Sequence, residues 1–232
     1  MFKKKRKHVD QKTARQLITV ATPKSIISEQ FRTIRTNLTF SLPDENLNTL
    51  FFTSASPSEG KSTVSANTAV TFAQAGKKVL FVDADMRKPT VHYTFRLPNA
   101  AGLSTVLTNQ ITVEEVIRET DIDNLYVITS GPIPPNPSEL LGSKMMTYLI
   151  GKLKEDFDLI VFDAPPTLSV TDAQILSNEM DGTVLVIDSG YTEKEAITKA
   201  KELLDQADAK ILGVVLNNYT NSSGGYYEYY GE

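Results

Sequence analysis

The stretch Ala55-Ser56-Pro57-Ser58-Glu59-Gly60-Lys61-Ser62-Thr63, hereafter the phosphate loop, decides the fold of this chain. Strand-forming residues 49–53 precede it, and a helical pattern over residues 64–75 follows it. A strand, a loop that ends in Gly-Lys-Ser and a helix are typical of phosphate binding, because the N–H groups that open the helix face the anion. This context favours a nucleotide site over a chance Gly-Lys-Ser at a helix start.

The chemistry of the loop residues indicates how each would be used. Gly60 allows the backbone to approach the phosphates, Lys61 reaches the terminal phosphates, and the Ser62 hydroxyl binds Mg²⁺. Ala55 occupies the place of the usual first glycine, which is acceptable if its backbone needs no positive φ. We therefore predict ATP and Mg²⁺ as cofactors. The predicted contacts in the loop are Ser58, Glu59, Gly60, Lys61, Ser62 and Thr63.

Length and composition exclude several other classes of protein. A chain of 232 residues suffices for one sizeable α/β domain and is short for two. It has no cysteine and two histidines, which excludes disulfides, thiolate zinc sites and cysteine nucleophiles and disfavours an imidazole-rich metal site. The net charge of −4 argues against general nucleic-acid binding. Because no apolar run predicts a signal peptide or a membrane span, we expect a cytoplasmic protein.

Aspartates follow two further buried-strand patterns. Residues 79–82 are continuously apolar and lead into Asp83, Asp85 and Arg87, and residues 157–162 lead into Asp163. Ligands in open α/β sheets bind at the carboxyl ends of the strands, so these carboxylates should face the same crevice as the phosphate loop. They are suited to holding Mg²⁺ and to accepting a proton from an attacking hydroxyl. Asp83, nearest the strand end, is the first candidate for the base, and Asp85 is the alternative; Arg87 would contact phosphate or pair with these aspartates.

The remaining patterns complete an α/β domain over residues 23–218. They predict short helices at 102–107 and 113–117, a strand at 125–129, helices capped by Ser138 or Ser143, strands at 184–187 and 211–216, and a helix at 192–207. The expected fold is a single, mostly parallel twisted sheet flanked by helices, of the P-loop NTPase type with a deviant Walker A loop. Asn217 and Asn218 end the last strand, either as readers of the adenine edge or as a simple polar strand end.

A predicted helix over about residues 25–41 carries Glu29, Arg32 and Arg35 at one-turn spacing. The spacing fits an ion pair within the helix. It equally fits arginines that reach a neighbouring subunit, and the sequence pattern does not separate the two.

Both ends of the chain are predicted to be flexible. Residues 1–22 include the basic run Lys3-Lys4-Lys5-Arg6-Lys7-His8, a solvated tail or a segment attracted to an anionic membrane surface. Residues 219–232, the tyrosine tail, contain Tyr226, Tyr227, Tyr229 and Tyr230 beside acidic residues. This composition suits a phosphoacceptor cluster, an aromatic peptide for a partner groove, or low-complexity disorder.

Together these motifs resemble those of the bacterial tyrosine kinases of capsule and exopolysaccharide assembly, in the form whose cytosolic catalytic domain is a separate chain. The resemblance covers nearly the whole chain after Pro23. It rests on residues 29–35, 55–63, 79–89, 134–141 and 162–166 and on the tyrosine tail. It implies that Lys61 and Ser62 serve the phosphates and Mg²⁺, that Asp83 is the base, and that Asp85 and Asp163 organise Mg²⁺.

The resemblance also implies partners. The helix with Glu29, Arg32 and Arg35 would build a ring-like homo-oligomer such as an octamer, in which a neighbour phosphorylates the tyrosine tail in trans. A membrane-embedded activator would complete the ATP site with its cytoplasmic tail and recruit the chain to the inner face of the membrane. A counterpart tyrosine phosphatase and sugar-nucleotide or polysaccharide-assembly enzymes would be further partners.

A second class of protein shares the predicted fold. Deviant P-loop ATPases of chromosome partition and division-site placement act as nucleotide-driven assembly switches without tyrosine transfer. They carry a lysine early in the loop, where this chain has Ser56, and they lack a tyrosine tail. The sequence therefore leaves a tyrosine kinase and, as the alternative, an assembly switch.

Overall fold

The computed structural model describes residues 15–41 and 47–220, and these residues form one seven-stranded sheet in the order β3-β4-β2-β5-β1-β6-β7. All neighbouring strands are parallel except β3, which runs antiparallel to β4. The strands are β1 (Thr49–Ser54), β2 (Val79–Asp83), β3 (Arg118–Glu119), β4 (Leu125–Ile128), β5 (Leu159–Asp163), β6 (Gly182–Asp188) and β7 (Ile211–Asn217). The predicted fold class, a mostly parallel sheet in a single P-loop domain, is confirmed.

Helices cover both faces of this sheet. In chain order they are α1 (Ile18–Ala21), α2 (Ile26–Phe40), α3 (Lys61–Gln74), α4 (Val91–Thr94), α5 (Leu103–Leu107), α6 (Pro137–Leu141), α7 (Lys144–Asp156), α8 (Asp172–Ser177) and α9 (Lys194–Gln206). The predicted cap at Ser143 is present, since its side chain accepts from Met146 N–H at α7. The Ser25 side chain caps α2 in the same way and accepts from Ser28 N–H. Ser138 is not a cap, since it lies inside α6 after Asn136.

The continuous apolar runs of the sequence become strands that are covered on both sides. Every residue of β1, β2 and β5 is buried. Side chains alternate between faces, so Phe51 belongs to one hydrophobic cluster while Leu50 and Phe52 belong to the other. Because β5 lies between β2 and β1 and all three strands are parallel, their carboxyl ends meet at the same end of the sheet.

The region between β2 and β4 differs from its prediction. Residues 102–107 form the expected short helix, but the second helix expected at 113–117 is wrong: those residues form a turn that leads into β3. Val113 and Val116 are buried, and that apolar pair had suggested helical spacing. A strand of two residues is too short to show the alternation of apolar and polar residues that identifies a strand in a sequence.

Residues 15–22, hereafter the strap, were expected to be flexible, yet the structure packs them against α3. Asn67, fully buried on α3, accepts hydrogen bonds from the Thr19 N–H at 3.1 Å and the Thr19 hydroxyl at 2.9 Å. Its side-chain amide donates to the Gln16 carbonyl at 3.0 Å and to Thr63 at 2.9 Å. Three of the four hydrogen bonds of this buried amide join the strap to α3, and the fourth, to Thr63, stays within α3.

Candidate active site

Two residues of the phosphate loop have positive φ angles, Ser58 at 70° and Gly60 at 89°. Ala55 is fully buried and has no positive φ, which meets the condition under which alanine replaces the usual glycine. Gly60 is the N-cap of α3. A Cβ on Gly60 would lie 2.1 Å from Asn217 Nδ2, so both the backbone angle and the available space require glycine here.

Glu59 was predicted to bind the cofactor, but its side chain turns into the protein. It is fully buried, and Oε1 accepts a hydrogen bond from the Thr192 hydroxyl at 2.7 Å. The Glu59 carbonyl accepts from Asn217 Nδ2 at 3.1 Å. The residue therefore anchors the phosphate loop to the ends of β6 and β7, and only its backbone is placed to serve a phosphate.

Lys61 brings together the loop and two of the predicted carboxylates. Its ammonium lies 3.2 Å from Asp85 Oδ2, 3.5 Å from Asp163 Oδ1 and 3.2 Å from the Ser62 hydroxyl. Burial lowers the pKa of Lys61, but the charges of Asp163, Asp85 and Asp83 outweigh it, and the pKa lies above its ordinary value. The lysine is therefore charged at neutral pH and available to an anionic ligand.

Asp163 has the features of a metal ligand. Its Oδ1 accepts from the Ser65 hydroxyl at 3.3 Å, while Oδ2 is buried without a hydrogen-bond partner in the part of the chain that the structure describes. Burial raises the pKa of this carboxyl more than the charge of Lys61 lowers it, so the pKa of Asp163 lies above its ordinary value. An unpartnered buried oxygen is costly unless a ligand satisfies it.

The donor set near Asp163 fits Mg²⁺. Asp85, Asp163 and the Ser62 hydroxyl supply oxygen donors, and Mg²⁺ is usually held by one or two carboxylates together with waters and substrate phosphates. Within residues 15–41 and 47–220 there is no group of three or more His, Cys, Asp or Glu side chains that makes a complete metal cage. Such a site would depend on nucleotide phosphates for its remaining ligands.

Asp83 and Asp85 have different surroundings. Asp83 is fully buried: Oδ1 accepts from the Asp85 N–H at 3.2 Å, and Oδ2 accepts from the Thr90 and Val91 N–H groups at 3.2 and 3.1 Å. Burial, then the Asp163 charge, raises the pKa of Asp83 well above its usual range. Asp85 instead lines the cavity beside Lys61. Of the two candidates for the base, Asp85 is the one that faces the ligand space.

Arg87 does not pair with the aspartates of its own segment. Its Nε and Nη2 each lie 2.9 Å from an oxygen of Asp172 on α8, and Nη2 also donates to the Ser138 hydroxyl at 2.9 Å. The hydrogen bond with Asp172 raises the pKa of Arg87. This bidentate pair joins the segment after β2 to α6 and α8 at the wall of the cavity.

A cavity of about 710 Å³ opens over these groups, a size suited to a nucleotide. Its wall includes phosphate-loop residues, Asp85, Arg87, Lys88, Arg15, Asn217 and Asn218. The two asparagines predicted to read adenine already have protein partners, since Asn217 holds the Glu59 carbonyl and Asn218 Nδ2 donates to Asp188 at 3.0 Å. Their contribution to base recognition stays a prediction.

The predicted oligomerisation residues on α2 have partners within this chain. Arg32 pairs with Glu29 and also donates to the Pro23 carbonyl at 2.7 Å. Arg35 donates to the Thr71 carbonyl of α3 at 2.8 Å. The predicted acceptors Tyr226, Tyr227, Tyr229 and Tyr230 and the basic run at residues 3–8 lie outside the described residues.

Sequence reasoning missed several residues that shape this site, namely Arg15, Ser65, Asp172 and Thr192. Ser65 lies one helical turn after Lys61, and that spacing alone would have placed it on the same face of α3. Arg15 lines the cavity, whereas Asp172 and Thr192 hold Arg87 and Glu59. All three act through tertiary packing, so no local pattern reveals them. None of the helices in residues 15–41 and 47–220 is long and apolar enough to cross a membrane.

Comparison with known proteins agrees with this geometry. A family model described as an AAA domain matches residues 58–219. The tyrosine-protein kinase YwqD of Bacillus subtilis is 50% identical over 226 residues, which are 97% of this chain and 95% of that protein. The putative tyrosine-protein kinase CapB of Staphylococcus aureus is 48% identical over 90% of this chain and 92% of its own.

Solved structures give the same result. The chimerical protein CapA2B2 superposes with a TM-score of 0.85 at 46% identity, covering 90% of this chain and 93% of that one. The kinase domain of the Escherichia coli tyrosine kinase ETK superposes with a TM-score of 0.84 at 32% identity, covering 96% and 89%. The cell division ATPase MinD of Pyrococcus furiosus is more distant, with a TM-score of 0.65 at 29% identity, covering 76% and 74%. From the site geometry, the matching domain and these identities over almost the full length of the relatives, the chain belongs to the bacterial tyrosine-protein kinases.

Proposed function

We propose that this chain is an ATP-dependent protein-tyrosine kinase whose acceptors are the tyrosines of its own tail, presented by a neighbouring copy. The observation that carries the proposal is the meeting of Lys61, Asp85 and Asp163 beside the phosphate loop, at one wall of a nucleotide-sized cavity. Phosphoryl transfer asks a protein mainly for positioning and for charge stabilisation, and this arrangement supplies both.

The chain's own groups divide the work of the transfer. The N–H groups at the start of α3 hold phosphate oxygens, and Lys61 exchanges its carboxylate partners for the terminal phosphates. Asp163 with Ser62 would hold the metal, joined by Asp85 where Asp83 rather than Asp85 takes the proton. When bound, Mg²⁺ neutralises charge between the terminal phosphates.

In the reaction itself the phenolic oxygen attacks the terminal phosphorus and the bond to the ADP oxygen breaks. A tyrosine hydroxyl, with a reference pKa of about 10, is a weak nucleophile at neutral pH, so its proton must pass to a base as attack proceeds. We assign that role to the Asp83–Asp85 pair. The position of Asp85 in the cavity wall favours it, while Asp83 orients the segment through three backbone N–H groups.

The decisive experiment incubates the full chain with Mg-ATP, with and without the cytoplasmic tail of a candidate membrane activator, and analyses the C-terminal peptide by mass spectrometry. We expect phosphotyrosine within residues 226–230, and we expect more of it when the activator tail is present. Release of ADP without modification of any tyrosine would instead support the assembly switch, whose fold the MinD likeness shares.

The wider setting of this activity is also a proposal. The phosphotransfer would regulate capsule or exopolysaccharide synthesis and export, with a membrane-embedded activator, a tyrosine phosphatase and sugar-nucleotide or polysaccharide-assembly enzymes as partners. Support comes from the tyrosine-protein kinase Wzc of Salmonella typhimurium, which is 35% identical over 92% of this chain but only 30% of its own length. The kinase region there is one part of a longer polypeptide, and here we propose that a separate activator recruits the chain to the membrane.

A ring of subunits built through α2 remains part of the proposal. Changing Arg32 and Arg35 together to alanine is expected to convert the oligomer into monomers, because both guanidinium groups lie on one helix face and each retains donors for a partner. Light scattering of the double variant measures the mass directly. The wild-type protein, measured alongside, must be an oligomer. If the double variant then has the same mass, the arginines serve only their contacts with Glu29, Pro23 and Thr71 and do not hold subunits together.

A further inference from the structure

Among the described residues, the cavity wall carries four cationic side chains, and two of these have no partner within that part of the chain. Lys61 is engaged by Asp85 and Asp163, and Arg87 is engaged by Asp172. Across the described residues, the side chains of Arg15 and Lys88 make no hydrogen bond or ion pair, although both line the cavity. We call Arg15 and Lys88 the acceptor rim. Their uncompensated positive charge favours the binding of an anionic ligand at the mouth of the site.

Arg15 is held in place rather than carried on a loose terminus. Its backbone N–H donates to the Thr94 hydroxyl of α4 at 3.0 Å. The carbonyl of the next residue, Gln16, accepts from the fully buried Asn67 of α3 at 3.0 Å. Fastened to α3 on one side and to α4 on the other, the backbone of Arg15 is fixed at the cavity, which limits the entropy lost when the guanidinium binds an anion.

The backbone of Lys88 is held by Asp85, the residue that we propose faces the reacting hydroxyl. Its backbone N–H donates to Asp85 Oδ1 at 3.0 Å, and its side chain is exposed at the cavity wall. Asp85 is therefore flanked by the buried cation Lys61 and by the backbone of Lys88. A substrate whose tyrosine hydroxyl approaches Asp85 brings its neighbouring residues towards Lys88.

The nucleotide has less need of the rim. Its phosphates already meet the α3 N–H groups and Lys61, and Asp163 provides the metal position. The tyrosine tail, by contrast, carries carboxylates that cations can bind. Residues 221–232 contain Glu228 and Glu232 together with four tyrosines, and they include no lysine or arginine. Charge complementarity of this kind sets specificity and association rate.

We propose that Arg15 and Lys88 select the acceptor by binding carboxylates that flank the target tyrosine, so that the substrate class is an acidic, tyrosine-rich peptide such as residues 226–232 of a second copy. This inference rests on the proposed kinase function. It assigns to the strap a part in substrate choice that is separate from nucleotide binding and from the phosphoryl transfer step.

Two capped synthetic peptides test the proposal with the full-length protein. One is Tyr-Tyr-Glu-Tyr-Tyr-Gly-Glu, and the other has glutamine in place of both glutamates. Arg15→Ala should lower kcat/KM for the glutamate peptide by about fivefold, as expected for one partly exposed ion pair. The same change should leave the glutamine peptide and the KM for ATP within about twofold. Lys88→Ala should behave in the same way.

Two further variants separate charge from structure. Arg15→Lys should restore most of the preference for the glutamate peptide, whereas loss of the strap's packing would not be repaired by a different side chain. Lys199→Ala is the matched control, since Lys199 is an exposed cation on α9 that does not line the cavity. An equal loss on both peptides, or a raised KM for ATP, would overturn the proposal and assign the cations to the nucleotide or to folding.

Failure of the kinase proposal itself gives a different result. In that case the wild type transfers phosphate to neither peptide while ADP is released. The acceptor rim is then tested by fluorescence anisotropy of both labelled peptides in the presence of a non-hydrolysable ATP analogue. Tighter binding of the glutamate peptide that Arg15→Ala removes would uphold the binding assignment; equal binding of the two peptides would overturn it.

Discussion

Lys61→Met is expected to reduce phosphate transfer to the tail tyrosines by roughly 10²–10³-fold or more, the loss typical of removing one group that stabilises transition-state charge. The lysine lies within 3.5 Å of both Asp85 and Asp163, so it connects the phosphate loop to the metal position. Methionine keeps most of the length of the side chain but supplies neither the charge nor a hydrogen-bond donor. Transfer of ³²P from labelled ATP measures the effect.

The control for this variant must separate chemistry from folding. Removal of the cation leaves the carboxylates of Asp85 and Asp163 close together, and protonation of Asp163, whose pKa is already raised, relieves part of the repulsion. We therefore expect a folded protein by circular dichroism. Lys199→Met makes the same change on the exposed face of α9 and should transfer normally. Labelling at the wild-type rate by the Lys61 variant would show that the site is wrongly assigned.

Replacement of Tyr226, Tyr227, Tyr229 and Tyr230 by phenylalanine is expected to remove most self-labelling while nucleotide binding is unchanged. Phenylalanine retains the ring and loses only the hydroxyl that would attack phosphorus. The residues that line the cavity in the described part of the chain are unchanged in this variant, so we expect its nucleotide affinity to be unchanged. Phosphotyrosine content and the Kd of a fluorescent ATP analogue are measured on the same preparation.

A matched control replaces the tyrosines of the folded domain instead. Tyr148 and Tyr191 are exposed in the structure at 63% and 71%, and they lie outside the proposed acceptor segment. Changing both to phenylalanine should leave self-labelling at the wild-type level. If the tail variant keeps its label while this control loses it, the acceptors are on the domain surface and the tail has another role.

Much of the fold could be predicted from the sequence because buried parallel strands appear there as uninterrupted apolar runs. Residues 79–82 and 159–162 are apolar without interruption, and each run ends in an aspartate where the structure ends the strand. Because ligands of open α/β sheets bind at the carboxyl ends of the strands, these strand endings predict that Asp85 and Asp163 lie beside the phosphate loop. The two-residue strand β3 had no such signature.

The details of the site depended on contacts that are distant in sequence. Arg87 was expected to pair with nearby aspartates or with phosphate, but its partner Asp172 is 85 residues away. Asn217 was considered for the adenine, yet it supports the phosphate loop from 158 residues away through the Glu59 carbonyl. Local spacing identifies which residues have suitable chemistry, whereas the pairing among them is set by the packing of the sheet and its helices.

The buried amide of Asn67 has a consequence for where this domain can be cut. Composition had suggested a boundary near Pro23, after the basic segment, and an expression fragment beginning there would lack the strap. Asn67 would then lose the Thr19 and Gln16 groups that satisfy it. Water would replace the lost partners, and each of the three lost hydrogen bonds would cost about 0.5–1.5 kcal/mol net, together a sizeable part of the stability of a typical domain. The shortest fragment that keeps the strap's hydrogen bonds to α3 therefore begins no later than Gln16, ahead of the boundary that composition suggests.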